Sequence, residues 1–117
     1  MKHIFTLCLI FFISFFTPYK GMTQRLPLVF IVMSYEHGNV CGQPQEDGVI
    51  SALADAGFIN GKTIIIKHFY MDTKRTYNTP EAIAQRGNLA LQAVKKASPD
   101  VVVTIDDNSA RAVMLPL

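Results

Sequence analysis

A chain of 117 residues, half of them hydrophobic and 17% charged, has room for one small domain. That balance excludes a disordered chain, a coiled coil and a collagen-like repeat. The formal net charge of +2 is too small to make an electrostatic case for nucleic-acid binding.

The chain opens on Met1-Lys2-His3, a basic start, followed by the uncharged 13-residue run Ile4–Phe16, which holds five of the eight Phe. Thr17–Thr23 then brings Pro18 and Gly21. This order predicts a secretory signal peptide over residues 1–23, cleaved near Thr23–Gln24. The run is shorter than the roughly 20 apolar residues of a membrane span. No membrane insertion is expected after cleavage, and the location is periplasmic or otherwise extracytoplasmic. The alternative is an uncleaved N-terminal anchor. Losing Lys2 and Lys20 lowers Lys plus Arg from 11 to 9, equal to the 9 Asp plus Glu, so residues 24–117 carry no formal net charge. Cys8 lies inside the apolar run, not in a lipoprotein box. Cys41 is then the one cysteine left, which rules out an internal disulfide framework and suggests a small, partly buried residue.

Leu28–Ser34 (LVFIVMS) is a short apolar run rich in β-branched residues and suits a strand buried on both faces. Pro44–Ala56 predicts a helix, with Pro44 in the first turn and Glu46 and Asp47 at its acidic start. Val49, Ile50, Leu53 and Ala54 form its apolar stripe, and Gly57 stops it. Thr63–Met71 (TIIIKHFYM) is a second strand, and Lys67 and His68 mark it as a sheet edge. Thr79-Pro80-Glu81 reads as N-cap, first position and acidic first turn of a second helix. Ile83, Gly87, Ala90, Leu91, Val94 and Ala97 share one face of it, and Ser98-Pro99 ends it. Val101–Ile105 (VVVTI) is a third strand. Asp107 or Asn108 is the expected cap of a short last helix, stopped by Pro116.

Strands joined by helices of this length are parallel, with right-handed crossovers. Placing the charged second strand at an edge gives the order 2-1-3. The fold class is therefore α/β, a Rossmann-like parallel sheet. The third strand's far edge is apolar and uncovered, so residues 24–117 are expected to be a partial lobe: the first half of one α/β lobe.

In such sheets ligands bind beyond the carboxyl ends of the strands, where the strand order reverses. Here that point faces Ser34-Tyr35-Glu36-His37 and Asp106-Asp107-Asn108. Both loops are dense in hydrogen-bonding groups, and Tyr35 offers a ring for stacking. Taken singly, each of these residues can be read as a strand end or a helix cap. Together they predict a pocket for a small-molecule solute. The polar cluster Asp72-Thr73-Lys74-Arg75 lies off that point and reads first as a solvated loop at a sheet edge, with a role in setting the loop beside the first strand as the other reading. No cofactor and no metal are expected. His37 and His68 lack the spacing of a metal site, and no Gly-rich phosphate loop occurs.

Three segments carry a family resemblance: VFIVMSYEHG (Val29–Gly38), FYMDTKR (Phe69–Arg75) and SPDVVVTIDDNSA (Ser98–Ala110). Together they resemble the periplasmic-binding-protein-like substrate-binding proteins of ABC transporters, over roughly Leu28 to Ala110. The resemblance implies two Rossmann-like lobes joined by a hinge and closing on a solute. It also implies ABC permease subunits as partners, a non-enzymatic role, and Ser34, Tyr35, Asp107 and Asn108 on the first-lobe side of the cleft. Glu36-His37 stands where related chains often have His-Pro. A periplasmic sensor domain of a histidine kinase or cyclase is the alternative function, and a Mg-dependent hydrolase using Asp106 or Asp107 is a third.

Overall fold

The computed structural model describes residues 25–117, so the signal peptide expected over residues 1–23 lies outside the described residues. The elements are β1 (Leu28–Met33), α1 (Gln43–Asp55), β2 (Ile65–Tyr70), α2 (Pro80–Ala97), β3 (Val101–Ile105) and a short α3 (Asp107–Ser109). After α3 the chain continues into a π-helical turn over Ala110–Met114.

Among the described residues the sheet has three parallel strands in the order β2-β1-β3, as expected. Leu28 pairs with Ile65 and Val29 with Val101. All six residues of β1 are buried, because a strand lies on each side of it and a helix on each face. Side chains alternate across the strand. Val29, Ile31 and Met33 pack with Ile64, Ile66 and Ile105 under Val49, Ile50 and Leu53 of α1. Phe30 and Val32 pack with Ala90 and Val94 of α2, Met71 and Val113. The helices sit on opposite faces because the chain leaves β1 in one direction and returns past it in the other.

Local chemistry explains most boundaries. Thr79 caps α2 by accepting from the Ala82 amide at 3.2 Å, and Ser98 ends the helix in a left-handed conformation at φ 49°. Lys95 and Lys96 lie in its last turn, where the helix dipole favours cations. At Gly87, α2 passes so close to the π-helical turn that a Cβ would stand 2.5 Å from the Ala112 Cβ. Thr63, expected in the second strand, lies in the preceding turn instead. Its hydroxyl accepts from the Ile59 amide and donates to the Gly57 carbonyl, each at 2.8 Å.

Four other expectations are corrected. Ser34 lies just beyond β1, although its amide still donates to the Ile105 carbonyl at 3.0 Å. Ala54 is exposed, and the α1 stripe is completed at the other end by Glu46, one turn before Val49 and Ile50. Cys41 is exposed, because the segment before α1 runs over the surface. The residue at the cap of α3 is Asp106, not Asp107 or Asn108, and its side chain makes no cap hydrogen bond.

Both outer strands are edges, but of unlike character. Lys67 stands exposed in the middle of β2, whereas β3 is VVVTI, with Val101 51% exposed and its outer side unpaired among the described residues. No helix among the described residues is long and apolar enough to cross a membrane.

Candidate functional site at the carboxyl ends of the strands

Ser34 organises this end of the sheet. It is fully buried, and its hydroxyl donates to the Ile105 carbonyl at 2.8 Å while accepting from the Ser109 amide at 2.9 Å. Its carbonyl accepts from the Thr73 amide at 3.0 Å and the Thr73 hydroxyl at 2.6 Å. Thr73 Oγ1 in turn accepts from Asn108 Nδ2 at 2.9 Å. One residue after β1 thus ties down the loops that follow all three strands. The Asp72–Arg75 cluster contacts the neighbouring loop through Thr73 and through Lys74, whose Nζ lies 4.3 Å from the centroid of the Tyr35 ring. Lys74 covers one face of that ring.

The other expected residues spread over the rim. Glu36 Oε1 accepts from Asn39 Nδ2 at 3.0 Å, and this bond, more than the nearby Arg75, holds the Glu36 carboxyl below the usual range. Its Oε2 is buried and meets no donor among the described residues. His37 is exposed and sets its ring edge-on to Tyr70, with centroids 5.3 Å apart.

Asp106 follows β3 at φ 71° and ψ 170°, a combination that essentially only glycine adopts without strain. This conformation turns its carboxylate toward the start of α1, with Oδ2 3.7 Å from where a Gly42 Cβ would stand. That oxygen too is buried without a donor among the described residues. Asp107 instead points outward, 88% exposed and 3.8 Å from Arg111. The adjacent carboxylates of Asp106 and Asp107 therefore face different neighbours and do not converge on one point.

A second polar cluster lies beside these loops, under α1. Glu46 is 1% exposed. Its carboxylate accepts from the Tyr70 hydroxyl at 2.9 and 3.1 Å and from Gln43 Nε2 at 3.2 Å, and His68 Nδ1 lies 2.5 Å from Oε1. Burial, followed by the hydrogen bond to Glu46, pushes the Tyr70 phenol well above its ordinary range. Sequence reasoning placed Glu46 at a helix start and His68 at a sheet edge but did not join them. The available signal was spacing: residues 46, 49, 50 and 53 lie on one helix face, and a carboxylate in that set needs donors from whatever it packs against.

A different, apolar recess of about 320 Å³ opens at the opposite end of the sheet, lined by Leu53, Phe58, Ile64 and Val101 among others. Its one charged neighbour, Asp100, is already bound to Arg25 and to the Leu28 amide. With no free polar group to orient a ligand, this recess is core left uncovered beside β3. The site that chemistry favours is the polar end, where Tyr35, Glu36, Asp106 and Asn108 are held on a common frame. No family model, curated protein or solved structure matches the chain.

Proposed function

We propose that the chain is the first-lobe wall of an extracytoplasmic solute-binding protein serving an ABC-type importer, with permease subunits as its partners. It binds a small organic solute non-covalently and performs no chemistry on it. The observation that carries this reading is the pair of buried carboxylate oxygens, Glu36 Oε2 and Asp106 Oδ2, in the loops after β1 and β3. Neither oxygen meets a donor among the described residues. A solute carrying N–H or O–H groups would supply one at each loop. The strain at Asp106 fits the same reading, because strained backbone is retained where a site needs it. Tyr35, braced by Lys74, offers its remaining ring face, while Ser34 acts from below by holding the loops in register. Full capture requires an opposing wall, which this reading assigns to a second lobe.

The test is a solute titration of the isotopically labelled exported chain, followed through backbone amide resonances. Amino acids, nucleosides and sugars form the panel. One class should move Tyr35–His37 and Asp106–Asn108 with an affinity of about 1 mM, roughly 4 kcal/mol, as expected of a single wall. Movement confined to Phe58 and Val101, or loops unmoved by every class, would overturn the proposal.

A further inference from the structure

We propose that Glu46 and His68 form a proton-sensitive latch on the loop that follows β1. Glu46 is almost completely buried, and its three donor residues are His68 and Tyr70 of β2 and Gln43 at the start of α1. Gln43 passes the connection onward. Its Nε2 donates to Glu46 and to Asp47, and its Oε1 accepts from the Gly38 amide at 2.8 Å. Tyr70 makes the second link, its ring meeting the edge of His37. Two paths therefore join the buried carboxylate to Glu36-His37-Gly38.

His68 is the one donor of the three that carries an imidazole, a ring that can be neutral or protonated. Its side chain is 30% exposed, so protons reach it from solvent. As a neutral ring it gives Glu46 one ordinary hydrogen bond through Nδ1–H. As an imidazolium it adds a countercharge to a carboxylate shielded from water, and charge-assisted bonds are about twice as strong. The latch is tighter with the ring protonated and looser with the ring neutral. The other titratable groups facing the pair are Asp47 on α1, Tyr70 on β2 and His37 from the loop itself. The latch is a property of the chain alone; its effect on solute capture rests on the function proposed above.

The test needs no solute. In a His37→Gln chain, which removes the loop's own imidazole, the amides of Gly38 and Asn39 and the His68 ring signal are followed as pH is varied. The loop amides should titrate with the midpoint of His68. Adding His68→Gln should abolish their pH dependence. Glu46→Gln should abolish it while the His68 ring still titrates. Flat loop amides in the His37→Gln chain, or amides that still titrate after His68→Gln or Glu46→Gln, would overturn the latch and leave the solute-binding proposal standing.

Discussion

The Ser109 amide donates to the Ser34 hydroxyl at 2.9 Å, across 75 residues of chain. In a free-standing helix the capping side chain would take that third amide. Here Asp106 makes no such bond, and a serine just beyond β1 takes its place. Ser34→Ala removes this acceptor and also the donor to the Ile105 carbonyl, leaving a buried amide unpaired. A loss of about 1–3 kcal/mol is expected in urea denaturation. A loss under about 0.5 kcal/mol would mean that the hydroxyl is incidental.

Asp106→Gly should have the opposite sign. Strained backbone of this kind costs about 1–3 kcal/mol, and the substitution also removes a buried oxygen that has no donor. Glycine's larger unfolded-state entropy takes back about 0.5–1 kcal/mol. A net gain of about 1 kcal/mol in the same denaturation measurement is expected, together with loss of solute-induced shifts at Asn108. A destabilised variant would show that the Asp106 side chain is structural.

The contrast between Ser34 and Glu46 shows what the sequence could carry. Local pattern was enough for the LVFIVM and VVVTI strands, the Thr79 cap of α2 and the edge position of a strand containing Lys67. These features depend on residues within a turn or two of each other. The burial of Glu46 depends on His68 and Tyr70, 22 and 24 residues away. Apolar periodicity does not report a carboxylate that is buried because another strand brings it donors. The committed hydroxyl of Ser34 and the left-handed turn at Asp106 escaped for the same reason: both are set by tertiary contacts between loops.

Tyr70→Phe tests that buried carboxylate directly. The hydroxyl reaches both oxygens of Glu46, and hydrogen bonds to charged groups contribute about 1.5–3 kcal/mol. A destabilisation in that range is expected by thermal or urea melting. The ultraviolet absorbance difference between the parent and Tyr70→Phe should show the Tyr70 phenol ionising above the ordinary phenol range. A raised folded-state value means that Tyr70's contribution is complete below the ordinary phenol range and is lost as pH climbs through the folded value. Ionisation of the Tyr70 phenol in the ordinary range would contradict the buried contact.

Asp100 gives the acid-side counterpart. The Leu28 amide foremost, and Arg25 after it, hold its carboxyl below the ordinary value of 3.8. A depressed folded value contributes stability above the unfolded value, and that contribution is lost as pH falls through the folded one. Asp100→Asn should therefore be less stable than the parent at neutral pH, with the gap closing below about pH 3.8. Added salt should shrink only the part owed to Arg25, which is exposed. A gap that is the same at pH 7 and pH 3 would remove the charge from the explanation.

The outer edge of β3 governs how the isolated chain behaves. Its backbone donors and acceptors on that side have no strand partner among the described residues, and VVVTI offers no lysine, proline or bulge to discourage a newcomer. Val101 is half exposed beside the apolar recess, so strand pairing between chains would bury apolar surface and satisfy backbone groups together. A chain of residues 24–117 should therefore self-associate as its concentration rises, read by light scattering on a sizing column. Val101→Lys should restore the monomer, because the long stem can lie along the recess while its ammonium stays in water. Leu115→Lys serves as the control: Leu115 is 80% exposed but lies beyond the sheet, so this substitution leaves the edge bare. Association that Leu115→Lys abolishes as well as Val101→Lys would point to general apolar stickiness. If Val101→Lys alone abolishes it, the association is edge-to-edge, through the unpaired side of β3.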